Sequence, residues 1–266
     1  MKKALFYTVV FALVAVLFYH NATLAFNGVT EESTRPEINT EVFELFADKD
    51  AKEIENSIRK AEKMRFEQFG GSTQQQIKES LEKLEKGEIS LRQIFNDTFI
   101  AGDSLMNGLE IYGVLSADKL ATQVSASLYH LSDNVERIIS SNPGNLILHY
   151  GVNMISTEEA QLESFVASYE ELILTIKESL KETRIIVSGL FPVDTSIATD
   201  ARFKMIESYN KALSEMCEKI GVEFLDSAKA FEGNSDYYGG DGIHLSSGFY
   251  SDVWLPFIIE NKGIIG

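Results

Sequence analysis

From residue 96 onward, short apolar runs of strand type alternate with longer stretches whose apolar residues recur at helical spacing. The short runs cover residues 98–101, 121–125, 146–150, 184–190 and 222–225, and predict five strands. Between them the helical period predicts helices at 105–112, 132–141, 157–181 and 203–220, with a last one at 247–261. Strands and helices in regular alternation imply an α/β fold, a doubly wound parallel sheet covered on both faces, and right-handed crossovers leave few topologies for it.

The pattern upstream is different. Residues 41–86 are dense in Glu, Lys and Gln and carry apolar residues at helical spacing: Ile54, Ile58 and Ala61, then Ile77, Leu81 and Leu84. Gly70-Gly71 interrupts this pattern, and Ser72 with Gln75 forms a capping-box signature for the second helix. Two amphipathic helices are expected, ended by Lys86-Gly87-Glu88. We read them as an extension packed on the main domain or holding it off a membrane; the alternative is a stalk or a helical pair that binds a protein partner. Residues 26–39 are polar, contain Pro36 and read as a linker. Met1 to Ala25 has the form of an export signal, with Lys2 and Lys3, an apolar run over 4–19, and small residues at Thr23-Leu24-Ala25. The run is shorter than the roughly 18 apolar residues of a spanning helix, which favours a cleaved signal over a retained anchor. Membrane contact is expected only if the segment stays. The chain thus divides into a signal or anchor (1–25), a linker (26–40), a charged helical extension (41–95) and a sheet domain (96–266), outside the cytoplasmic membrane.

Composition narrows the partners. The 24 Lys+Arg against 40 Asp+Glu give a net charge of −16, which repels phosphate backbones, so nucleic acid is not expected as a partner. Cys217 is the single cysteine; it allows no intramolecular disulfide and no Cys-based zinc cluster, and is read as a small buried residue of the 203–220 helix. His20, His130 and His149 show no metal-binding spacing, and neither a metal nor another cofactor is expected.

Candidate chemistry starts at Ser104, in a stretch that reads as a buried strand, a tight turn and a helix start: Thr98-Phe99-Ile100-Ala101-Gly102-Asp103-Ser104-Leu105. A serine hydroxyl is a poor nucleophile without a general base, an orienting group for that base and donors for the oxyanion. In open α/β sheets ligands bind beyond the carboxyl ends of the strands, which gives a test. Ser104 follows the first strand, Ala126 the second, Gly151-Val152-Asn153 the third, and Asp241-Gly242-Ile243-His244 lies after the fifth. All are expected at one sheet edge. Asn153 offers an amide NH2 to an oxyanion. Asp241 and His244, three residues apart, can share a face, with the carboxylate on Nδ1–H and Nε2 toward a serine.

Gly102-Asp103-Ser104-Leu105, Gly151-Val152-Asn153 and Asp241-Gly242-Ile243-His244, in this order, resemble the first, third and fifth blocks of the SGNH (GDSL-type) hydrolase superfamily. The resemblance runs from about Asn96 to the C-terminus. It implies a flavodoxin-like sheet and metal-free ester hydrolysis, with Ser104 as nucleophile, His244 as base and Asp241 as its orienter. It also implies an oxyanion hole from the N–H of Ser104, a second-block backbone N–H and the Asn153 side chain. The chain departs from the family in that second block, which reads Val124-Ser125-Ala126-Ser127 where a glycine is usual. The donor is assigned to Ala126, with Ser125 the other candidate. The residue after Asn153 is Met154, where many relatives have aspartate. The expected activity is a secreted or surface-tethered serine esterase acting on a small-molecule or glycan ester, with acetyl groups on envelope carbohydrate favoured over long acyl chains. An acyltransferase using the same triad, and a non-catalytic envelope protein retaining the fold, are the rival readings.

Overall fold

A computed structural model describes residues 74–265, which fall within one unit spanning Lys60–Gly266. The signal segment, the linker, the helix carrying Ile54, Ile58 and Ala61, and the Ser72 cap lie outside the described residues. Five strands are present: β1 (Thr98–Gly102), β2 (Leu120–Thr122), β3 (Asn145–His149), β4 (Arg184–Ser188) and β5 (Glu223–Leu225). They pair in parallel throughout, in the order β2-β1-β3-β4-β5. From β1 the chain moves outward to β2, crosses to β3 on the other side and continues to β4 and β5. This is the flavodoxin-like order, with its switch point between β1 and β3.

Every residue of β1 is buried, as are all but the first of β3 and of β4. Central parallel strands are covered on both faces, so their sequences are continuous apolar runs rather than alternating ones. The covering helices are α1 (Gln74–Glu85), the short α2 (Leu91–Ile94), α3 (Ser104–Ile111), α4 (Leu128–Ser141), α5 (Glu159–Ser179), α6 (Ile206–Ile220) and α7 (Leu255–Lys262). Neighbouring helices pack in sequence from α4 through α5 to α6, and α7 packs against α1. None of the described helices is long and apolar enough to cross a membrane.

Three segments differ from the sequence reading, each for a local reason. The β2 ladder ends with Thr122 opposite Gly102, where β1 itself ends, so residues 123–125 have no strand to pair with and turn instead. Helix α4 begins at Leu128 rather than 132, because Ser127 caps it by accepting from the Tyr129 N–H at 3.3 Å. The last helical segment is two pieces, a π-type stretch Phe249–Trp254 and then α7, with Pro256 in the first turn of α7, where its missing N–H has no intrahelical partner to lose.

Buried polar groups tie the later strands together. The Ser188 hydroxyl meets His149 Nδ1 at 3.0 Å and the Ser227 hydroxyl at 2.7 Å, and Trp254 Nε1 donates to Ser227 at 3.3 Å. Burial pushes the His149 imidazole down to about 3, so it serves as a neutral hydrogen-bonding ring. Cys217 is buried on α6, and burial pushes its thiol up to about 12 despite the opposing Lys262 ammonium.

The apolar core takes in residues that precede Asn96. Ile77 on α1 is buried, Leu81 and Leu84 pack against the same core, and Ile94 and Phe95 are buried at the end of α2. A capping box between Ser90 and Gln93 starts α2. Ile77→Ala should therefore destabilise the sheet domain itself, by about 2–4 kcal/mol, read as a lowered midpoint in urea unfolding. An unchanged midpoint would make α1 an appendage.

Candidate active site

The site is built on the adjoining ends of β1 and β3. At the end of β1 the chain leaves Gly102, paired with His149 of β3, and Asp103 becomes the N-cap of α3. Asp103 is fully buried, and its carboxylate accepts from three backbone amides: Leu105 N at 3.1 Å through Oδ1, and Gly151 N and Val152 N at 3.1 and 3.2 Å through Oδ2. Its own N–H donates to the His149 carbonyl at 3.1 Å. Ser104, the first residue of α3, is thereby fixed relative to the loop after β3.

That loop turns sharply at Gly151, whose φ of +144° disfavours any side chain, and Met154 N donates back to the Gly151 carbonyl at 2.8 Å. Tyr209 of α6 holds the far end: its hydroxyl accepts from Ser156 N and donates to the Met154 carbonyl, both at 3.1 Å. Between these anchors Asn153 turns its amide toward the β2–α4 turn and donates from Nδ2 to the Ala126 carbonyl at 3.0 Å. An amide nitrogen has two hydrogens, and this bond uses one of them.

His244 and Asp241 arrive on the segment after β5. Residues 237–246 fold back on themselves, with Gly239 N donating to the His244 carbonyl at 2.6 Å and Ser246 N to the Tyr237 carbonyl at 2.9 Å. The Gly242 carbonyl accepts from Asp194 N at 2.8 Å, which ties the loop to the β4–α6 connection. Asp241 accepts from Ile243 N and His244 N at 2.9 Å each through Oδ1, while Oδ2 lies 2.6 Å from His244 Nδ1. On the other side of the ring, His244 Nε2 is 3.2 Å from Ser104 Oγ. The Nδ1–H tautomer fits both contacts, donating to the carboxylate and accepting from the serine hydroxyl.

Residues 100–250 match the model of the GDSL-like lipase/acylhydrolase family. The chain belongs to that family. It is an ester-hydrolysing serine hydrolase. Among solved structures it is similar to a GDSL-like lipase from Parabacteroides merdae, at 16% identity over 63% of this chain and 95% of that one, with a TM-score of 0.51. It also resembles a lipase/acylhydrolase from Enterococcus faecalis (17% identity, 64% and 97% covered, TM-score 0.49) and an acetylxylan esterase from Geobacillus stearothermophilus (15%, 61% and 92%, TM-score 0.47). No curated protein matches it in sequence.

In this GDSL-like chain the second-block turn sets its two candidate donors apart. Ala126 is buried, and its N–H donates to the Gln123 carbonyl at 3.3 Å inside the turn. Ser125 is exposed and holds a left-handed backbone, φ +58°, a conformation for which glycine is the usual residue. Ser125, the other candidate, is the residue in this turn with the backbone that a glycine would adopt.

Two aspartates of the site are driven in opposite directions. Burial pushes the Asp103 carboxyl up to about 6, against the pull of its three amide donors and the nearby His244. Burial is the largest single influence on Asp241 and pushes it up, but the His244 ring and the Ile243 and His244 amides together outweigh it and hold that carboxyl at about 2. Asp241 stays ionised wherever the enzyme is folded and working. No group of three metal-ligating side chains occurs among the described residues. His130 and His149 are bonded elsewhere, to Tyr150 and Ser188, and His20 is outside the described residues. The sequence reading missed Asp103: an Asp before a helix signals an N-cap, but its bonds to residues 48 and 49 positions away do not.

Asp103→Ala leaves three buried amides unpaired and should cost about 3 kcal/mol or more, measured by thermal melting, with loss of esterase activity. The charge gives a second outcome. A folded value near 6, above the unfolded value of about 3.8, means that the folded chain holds the proton more tightly. This contribution to stability is full below about pH 4 and is lost as pH rises through 6. Asp103→Asn lacks it, so the gap in melting temperature between wild type and Asp103→Asn should be wider at pH 4 than at pH 7.

Proposed function

We propose that the protein is an extracytoplasmic serine esterase that removes short acyl groups, acetyl in particular, from cell-envelope carbohydrate. The observation that carries the catalytic part is the continuous line from Asp241 Oδ2 through the His244 ring to Ser104 Oγ, with contacts of 2.6 and 3.2 Å. Ser104 Oγ attacks the ester carbonyl as His244 Nε2 takes its proton, and Asp241 balances the imidazolium. The negative oxygen of the tetrahedral intermediate accepts from the Ser104 N–H, a free donor at the first position of a helix, from the Ser125 N–H and from the second amide hydrogen of Asn153. Collapse releases the alcohol, which takes the proton from His244 and leaves an acyl-serine. Water then gives a proton to His244 and attacks the acyl carbon; the carboxylic acid departs as Ser104 recovers its proton.

The substrate and the location are argued from the start of the chain and from the exposed apolar residues near the site. The export-type segment at residues 1–25 and the absence of a long apolar stretch after it favour an envelope substrate with a small acyl group. The rim also favours an open site. Val124 is 62% exposed beside Ser125, Tyr129 is 83% exposed in the first turn of α4, and Ile197, next to Gly242, is 48% exposed. Such separated apolar side chains suit the faces of a sugar ring better than an acyl chain, which calls for an enclosed apolar tunnel.

A fluorophosphonate probe should label the wild-type chain at Ser104 and leave Ser104→Ala unlabelled, with 4-nitrophenyl acetate hydrolysed by the first alone. Equal hydrolysis by both would remove the esterase mechanism. Release of acetate from acetylated glycan, rather than of fatty acid from lipid, tests the substrate class.

Asn153→Ala should lower kcat on 4-nitrophenyl acetate by about 10²–10³. Ser125→Gly should keep or raise kcat, because glycine adopts the required φ without strain and keeps the N–H. A large loss in Ser125→Gly would show that the hydroxyl, not the amide, is what the site uses.

A further inference from the structure

We propose that Tyr112 and Tyr250 form a reciprocal clasp that sets the distance between Ser104 and His244, acting as positioning residues for the reacting pair. The proposal rests on reading Ser104 and His244 as that pair.

The two partners are 140 positions apart in sequence and meet through one contact of 3.2 Å. The Asp241–His244 contact, by contrast, is local, three residues apart, and the loop keeps it wherever the loop sits. Something must hold that loop against α3. Tyr112, the C-cap residue of α3, sends its hydroxyl to the carbonyl of Leu245 at 3.2 Å. Leu245 directly follows His244. Tyr250, in the π-type stretch beyond the same loop, sends its hydroxyl the other way, to the carbonyl of Leu105. Leu105 directly follows Ser104. Each latch starts on one element and ends one residue from the reacting side chain of the other.

The packing around the latches is specific. The two rings are 6.1 Å apart at 41°. Tyr250 is buried, and burial keeps its phenol well above the ordinary range, so it remains a donor. Gly108 on α3 makes room for it: a Cβ there would lie 2.5 Å from the ring and hydroxyl of Tyr250. A phenylalanine would fill the same space as Tyr250, so the buried hydroxyl adds only its bond to Leu105. The π-type turn containing Tyr250 departs from the regular helix that follows it, a local irregularity of the kind that recurs at functional sites.

The test compares the full chain with Tyr112→Phe, Tyr250→Phe and the double variant, using 4-nitrophenyl acetate kinetics, the rate of fluorophosphonate labelling, and the low-field proton NMR signal of His244 Nδ1–H. Each single variant should lower kcat and the labelling rate about tenfold, since a displacement below 1 Å is enough to slow a positioned reaction, while KM stays within about twofold. The Nδ1–H signal should persist, because the local bond to Asp241 is untouched. The double variant should lose less than the product of the two singles, because both latches hold one interface. Unchanged rates in Tyr112→Phe, whose ring is 48% exposed and tolerates the change, would overturn the clasp, and so would losses that match the unfolded fraction seen by circular dichroism. If Tyr250→Phe does not fold, Tyr112→Phe alone decides. A wild-type chain that fails to label takes down the esterase reading and the clasp with it; a reactive wild type with equally reactive variants takes down the clasp alone.

Discussion

The structure depends on one buried carboxylate. Asp103 joins the ends of two neighbouring parallel strands, caps the helix that carries Ser104 and fixes the first two residues of the Gly151-Val152-Asn153 turn. Parallel strands give no hairpin to align their ends, and a loop at a switch point has few backbone partners of its own. A side chain that accepts three amides at once supplies what the sheet cannot. Its burial also explains the upward push on the carboxyl: the ring of donors opposes desolvation without cancelling it.

The same residue type meets a different setting on the loop after β5. Asp241 is half exposed, held low by His244 and two amides, and presents a lasting negative charge to the imidazole. One aspartate organises backbone amides and the other faces an imidazole. They differ by environment alone, which is how one fold places acids of unlike strength close together.

Much of this was legible in the sequence, and what was not has a common cause. Five strands, their parallel arrangement and the edge at which Ser104, Asn153, Asp241 and His244 gather follow from periodicity and from contiguous motifs. Asp241 and His244 were readable as a pair because three residues separate them. The Asp103 bonds to residues 48 and 49 positions away, and those joining Tyr112 to Leu245 and Tyr250 to Leu105, 133 and 145 positions apart, leave no local pattern. The second block was hard to read for another reason. Val124-Ser125-Ala126 looks like the end of a strand, and only the partner strand's ending at Gly102 makes it a turn, with Ser125 rather than Ala126 in the left-handed position.

The groups gathered at this sheet edge are made at very different times in the growing chain. Ser104 and Asn153 lie on early strands, whereas Asp241 and His244 lie beyond the fifth strand. A polypeptide ending between residues 226 and 240 would carry Ser104 and all five strands, yet neither Asp241 nor His244. Asp241 and His244 enter together, on one short loop that has bonds of its own. The Ser104–His244 contact therefore forms only once that loop has docked, after every strand of the sheet has been made.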